Sequence, residues 1–268
     1  MKDLGKRNVL GVLVDAADLE GAVARVLAAA RERRPLACTA LAVHGVMTGV
    51  DDPVHRYRLN HFDLATPDGQ PVRWALNWLY GAGLARTTHG SGLMLGVCER
   101  AAEERLPIYL YGSTQIVLDR LVLSLRRRFP SLAIAGSEPS KFRRTSSNEK
   151  QELVERIHAS GAAIVFIGLG CPRQEVFAYE YRDALGIPTL AVGAAFDYLA
   201  GELREPHPLV RRAGFEWLHR LILEPRRLWR RYALLNPRFL WGLGRQLVGL
   251  SKPMAERAER PTEELLYG

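Results

Sequence analysis

Short apolar runs recur along this chain, and the stretches between them carry apolar residues at helical spacing. The runs lie at residues 9–14, 36–42, 64–66, 108–111, 132–135, 162–167 and 189–192. Helical patterns occupy 19–34, two stretches between the second and third runs, the segment around Trp74 and Trp78, 112–129, 149–160 and 174–185. Parallel neighbours need a crossover connection, usually a helix, and the helical stretches supply one between successive runs. The alternation therefore predicts an α/β fold, a mostly parallel sheet with helices on both faces. Asp52-Pro53 marks one helix start, a cap followed by proline at the first helical position. Trp74 and Trp78 stand one turn apart on one helical face. No repeat of roughly 20–50 residues is present.

After Gly201 the alternation stops. The following residues show no strand pattern and read as short basic helices broken at Pro225 and Pro237. Net charge is +8, and residues 204–245 hold ten arginines against three glutamates, so nearly all of the excess sits there. Trp217, Trp229 and Trp241 are interleaved with those arginines. The expected organisation is an α/β core over 1–201, a basic helical appendage over 202–250 and a disordered tail over 251–268. A protein that coats nucleic acid over its whole surface has no need to segregate its charge in this way. Arginines beside tryptophans and leucines suit an amphipathic segment lying on anionic lipid. Stacking platforms for single-stranded nucleic acid use the same residue types, so composition leaves both readings open.

The three cysteines, Cys38, Cys98 and Cys171, are odd in number and form no Cys-x-x-Cys pair. That fits a reducing compartment rather than a zinc ribbon or a disulfide framework. The first residues lack the apolar region and cleavage site of a signal peptide. No uncharged apolar run approaches the ~18 residues that span a bilayer. A soluble or peripheral protein is expected.

Ligands of parallel sheets sit beyond the carboxyl ends of the strands, so the loops there are the candidate sites. Asp68 stands alone on the Pro67-Asp68-Gly69 turn, which is either ordinary turn chemistry or the seat of a general base. "GLGCPRQE", Gly168 to Glu175, joins a buried run to a helix. Arg173 occupies the third glycine position of a dinucleotide fingerprint, which weakens that reading. What remains is a tight connection or an anion-accepting turn with Arg173 and Gln174 near the ligand. Ser113 reads as a helix cap, and Asp197 as a cap or a site residue. His44, between apolar residues, reads as a core histidine more readily than as a base. The chain carries no P-loop, no Gly-x-Ser-x-Gly elbow, no Asp-x-Asp pair and no metal-ligand spacing among its histidines.

Five motifs, "TPDGQPV", "RTTHGSGLM", "GLGCPRQE", "VGAAFDYLAG" and "FEWLHRLILEPRRLWRRY", occur in the order and approximate spacing of one family. Over roughly residues 10–240 the chain resembles the bacterial WecG/TagA/CpsF glycosyltransferases. The resemblance implies a Rossmann-like α/β domain with a basic C-terminal appendage. It implies an inverting enzyme that moves a sugar, often N-acetylmannosamine, from a UDP donor to a sugar on a polyprenyl diphosphate. It implies work at the inner face of the plasma membrane, with no metal and no cofactor. It makes Asp68 the general base with Thr39 beside it. Arg86, Gly168 and Gln174 fall to substrate binding, and Arg220, Arg227 and Arg230 to the donor diphosphate. An anionic membrane surface is an implied partner and nucleic acid is not, while homo-oligomerisation stays open. Two departures stand out. Leu41 and Ala42 occupy positions where the family commonly carries an asparagine, and the Arg204-Glu205-Pro206-His207-Pro208 stretch lacks the family's tryptophan. The alternatives are a nucleotide-dependent oxidoreductase and a non-catalytic basic module that binds membrane or nucleic acid.

Overall fold

The computed structural model describes residues 1–203 and 216–268; the side chains of Glu216, Trp217, Arg220 and Arg227 lie outside the described set. The chain begins with an antiparallel hairpin, β1 (Asp3–Val9) and β2 (Val12–Ala17). The run expected as one strand over 9–14 is thus the tip of two. Leu10 and Gly11 both take positive φ, 56° and 93°, which is the backbone of a tight two-residue hairpin turn. Asn8 accepts from the Gly11 N–H at 2.7 Å and fixes it.

The alternating pattern follows: α1 (Leu19–Arg31), β3 (Leu36–Leu41), α2 (Val43–Asp51), α3 (Pro53–Asn60), β4 (Leu64–Pro67), α4 (Gln70–Tyr80), α5 (Gly90–Glu104), β5 (Ile108–Gly112), α6 (Gln115–Arg128), β6 (Ile134–Glu138), α7 (Ser147–Ala159), β7 (Ile164–Gly168), α8 (Arg173–Leu185), β8 (Pro188–Ala191) and α9 (Ala195–Leu199). The six strands from β3 to β8 form one all-parallel sheet in the order β4-β3-β8-β7-β5-β6. Caps hold the helices where the sequence places them. The Asp52 carboxylate accepts from Val54 and His55 N–H at 2.8 and 3.0 Å, and Ser146 with Glu149 forms a reciprocal box at the start of α7.

The period of two along each strand sorts its side chains between two buried layers. Ile108 and Leu110 of β5, with Ile164 and Phe166 of β7, meet α1, α5, α6 and α9. Tyr109, Tyr111, Val165 and Ile167 meet α7 and α8 on the opposite face. There Phe177 stacks between Tyr111 and Tyr181, with centroids 4.9 and 3.8 Å away. A third cluster joins the hairpin, α2 and α4 at the β3–β4 side.

The basic segment departs from expectation in two ways. It contains α10 (Glu216–Leu223) and α11 (Pro225–Leu247), and α11 continues through Pro237. An interior proline forfeits one helix hydrogen bond and crowds the preceding turn, but burial holds α11 together on both sides of it. Leu228, Phe239 and Leu243 are at most 1% exposed. Phe239 and Leu243 complete the hairpin cluster, so the end of the segment is part of the core rather than a separate appendage. Residues 251–268 carry almost no regular structure yet run back over the domain instead of leaving it disordered. Glu259 N–H donates to Pro53 O at 3.0 Å and Gly268 N–H to Arg143 O at 3.1 Å. Leu265 and Leu266 N–H donate to the Glu180 carboxylate at 2.8 and 2.9 Å. Among the described residues, no helix is long and apolar enough to cross a membrane.

Candidate active site

Strand order creates the crevice. From β5 the chain turns outward to β6, whereas from the neighbouring β7 it turns the other way to β8. Such a divergence opens a gap beyond the carboxyl ends of the two strands. Gly112 and Gly168 stand at that gap, paired in register. Ser113 N–H donates to Gly168 O at 2.9 Å. A Cβ on Gly168 would meet the Phe196 ring at 2.6 Å, and one on Gly112 would meet Gly168 O at 2.7 Å. Gly168, expected against a ligand, is therefore first a packing requirement. Ser113 does not cap α6. It has φ 56°, and Thr114 caps the helix instead. Beside it a cavity of about 410 Å³ reaches Thr114, Asp197, Glu202 and Glu224. The α10–α11 junction at Glu224 thus lies near the start of α6 and near α9.

Asp68 sits half-buried at the end of β4, and its N–H donates to Leu41 O at 3.2 Å. The turn is thereby fixed to the last residue of β3. The 82–89 segment arrives on the other side, with Thr88 N–H donating to Pro67 O at 2.9 Å. Arg86 is exposed on that segment. α5 then begins against β8, where a Cβ on Gly90 would come within 2.6 Å of Val192 O.

Thr39 and Gln174 turn inward rather than toward the crevice. Thr39 is fully buried, and its hydroxyl donates to Glu175 Oε1 at 3.2 Å, not to Asp68. Gln174 is 5% exposed. Its carbonyl accepts from Gly170 N–H at 3.1 Å, and its amide donates to Glu175 Oε1 at 2.9 Å. Glu175, which sequence reasoning passed over, is the centre of this cluster. Burial pushes its carboxyl above the ordinary range.

His44 occupies the first turn of α2, three residues beyond Leu41, and its Nδ1 is buried with no hydrogen-bond partner among the described residues. Burial first, then the Arg231 guanidinium, holds its imidazole down at about 4, against an opposing hydrogen bond to the Cys171 backbone. The ring is neutral at pH 7. Cys171 senses both Glu175 and Arg231, and burial keeps its thiol protonated. α11 therefore carries Arg231 to the carboxyl end of β3. Arg231 was missed in favour of its neighbours, although it follows Arg227 by one helical turn. Arg230 is exposed, with its guanidinium 5.4 Å from the Trp229 ring. Arg220 and Arg227 lie on α10 and α11, their side chains outside the described residues, as are all atoms of the 204–208 stretch. Among the described residues, no group of three or more histidine, cysteine or carboxylate side chains is placed to hold a metal ion.

A parallel sheet that carries a carboxylate turn, glycine-opened loops and an arginine-bearing helix at the carboxyl ends of its strands has the layout of an α/β enzyme domain. The glycosyl transferase WecG/TagA/CpsF family matches residues 7–253, and the chain belongs to that family. It is a glycosyltransferase, of a family that serves cell-surface polysaccharide synthesis. The match runs through the whole of α11, so the basic helix is part of the family's unit. Membership decides against the oxidoreductase and the non-catalytic binding module.

Proposed function

We propose that the protein transfers a sugar, N-acetylmannosamine or a close relative, from a UDP donor to a sugar on a polyprenyl diphosphate. The transfer inverts the anomeric centre and needs no metal ion. The acceptor hydroxyl attacks from the face opposite the nucleotide, and Asp68 takes its proton as the bond forms. One carboxylate is enough, because a nucleoside diphosphate leaves as an anion and needs charge stabilisation rather than a proton. Arginine forks supply that stabilisation when no metal does. Arg231 joins Arg220, Arg227 and Arg230 as a candidate for the diphosphate, and Arg86 approaches from the 82–89 segment.

The observation that carries this reading is the meeting of three elements at one sheet end. The Asp68 turn is bonded to Leu41, the Thr88 backbone to Pro67, and the Arg231 charge is felt at His44 and Cys171. A lipid-linked acceptor requires work at a bilayer surface. Trp229, Leu234, Leu240, Trp241 and Val248 are exposed along and just beyond α11, among exposed arginines. Such a face suits the headgroup region of an anionic membrane. We place the enzyme on the cytoplasmic face of the plasma membrane on these grounds. Transfer from UDP-N-acetylmannosamine to a polyprenyl-diphosphate-linked sugar, assayed in excess EDTA, tests the proposal. Activity is expected to persist. A strict need for Mg²⁺ or Mn²⁺ contradicts the arginine-based mechanism.

A further inference from the structure

A chain of buried polar groups runs from the β7–α8 loop to the Asp68 side of the candidate site. Gly170 N–H donates to Gln174 Oε1, and Gln174 Nε2 donates to Glu175 Oε1. Thr39 Oγ1 donates to the same Glu175 oxygen. The Thr39 carbonyl in turn lies 3.4 Å from Thr66 Oγ1, whose one hydrogen is shared with Thr88 O at 3.1 Å. Thr39, Thr66, Thr88, Gln174 and Glu175 are all at most 5% exposed. The chain links the β7–α8 loop, the middle of β3, the end of β4 and the segment that carries Arg86. Asp68 hangs on both of its arms, through Leu41 two residues beyond Thr39 and through Pro67 next to Thr66.

We propose that Glu175 is a positioning residue for the transferase reaction, a neutral carboxylic acid that locks these loops into register around Asp68. The inference rests on the glycosyl-transfer reading above. Its ground is geometric. Glu175 is 1% exposed and forms no ion pair among the described residues, and its Oε2 has no hydrogen-bond partner there. An ionised carboxylate in that setting carries a large desolvation cost, with no ion-pair partner among the described residues to offset it. Protonation at Oε2 removes the charge and leaves Oε1 free to accept from both Thr39 and Gln174, and the one buried hydroxyl it creates costs less than an unpaired buried charge. Burial acts in the same direction on its acidity. The partially offsetting contacts, from Gln174, the backbone at Glu175, Thr39 and the Cys171 thiol, are hydrogen bonds, which a neutral acid also accepts.

A neutral acid and an ionised one respond differently to an isosteric amide. Glu175→Leu removes the acceptor and should lower transfer on the order of 10²-fold, the usual effect of an ångström-scale shift in reacting groups. UDP affinity, measured by calorimetry, should change far less. Glu175→Gln keeps an acceptor oxygen and a neutral head, and should restore most of the turnover that the leucine variant loses. Thr39→Val probes the same joint if the leucine variant fails to fold, and should lower kcat while leaving the melting temperature close to wild type. The protonation state is read directly by infrared spectroscopy of the resting protein at pH 7. A carboxylic-acid C=O band should be present and should vanish in Glu175→Gln. That spectrum is decided without any substrate, so it stands apart from whether Asp68 is the base or UDP the donor. A folded Glu175→Gln variant as impaired as Glu175→Leu, or a wild-type spectrum without the acid band, overturns the proposal.

Discussion

His55 on α3 is 2% exposed, and burial first, then Arg58, holds its imidazole at about 4 rather than the ordinary 6.5. His44 is held at about 4 as well. Between pH 6.5 and 4 the unfolded chain therefore binds protons that the folded chain refuses. Stability rises with pH through that window and falls on acidification. A His55→Gln variant should show a shallower fall in melting temperature from pH 6.5 to pH 4 than the parent, measured by scanning calorimetry. An unchanged slope would remove His55 from the account. The same residue scale shows what the sequence could not reveal. The Pro67-Asp68-Gly69 turn was legible because turn chemistry is local. The direction of the Thr39 hydroxyl was not, because a strand's period of two names a face and not a partner. Gln174 was expected at a ligand for a similar reason, and its amide is instead spent on Gly170 and Glu175.

Elements were legible where their signals were local and strong. All six parallel strands and most of their crossover helices follow the apolar periodicity, with ends displaced by a few residues, but α5 was not anticipated. The hairpin at the start was not, since Leu10-Gly11 lacks the Asn-Gly signature of its turn class. Nor was the continuity of α11 through Pro237, which depends on burial of residues far apart in sequence. That burial is testable. Phe239→Ala should cost about 3–5 kcal/mol of unfolding free energy, the usual range for a fully buried phenylalanine, measured by urea denaturation. Trp241, 72% exposed two residues later, should change stability by no more than about 0.5 kcal/mol when replaced by alanine. Equal losses from the two substitutions would mean that α11 does not pack as described.

At the scale of the whole molecule, α11 has two tasks that its two faces divide. Phe239 and Leu243 tie it to the hairpin cluster, while Trp229 and Trp241 are turned to solvent. Replacing both tryptophans by alanine should weaken sedimentation with anionic liposomes and slow transfer to a long-chain lipid acceptor. Transfer to a short, water-soluble acceptor should be nearly unaffected. Removing everything after Gly201 is a poorer experiment, because it also strips Phe239 and Leu243 from the core. The docked 251–268 segment makes the same point, since its backbone supplies two hydrogen bonds to the buried Glu180 beside Arg58. The central claim is that this sheet end performs glycosyl transfer with a single carboxylate base, Asp68. Its most direct measurement is the turnover of Asp68→Asn with UDP-N-acetylmannosamine and a polyprenyl-diphosphate-linked acceptor in EDTA, at matched folding and UDP affinity. The account predicts a loss on the order of 10²–10⁴-fold, as for other general bases, and a turnover close to wild type would contradict it.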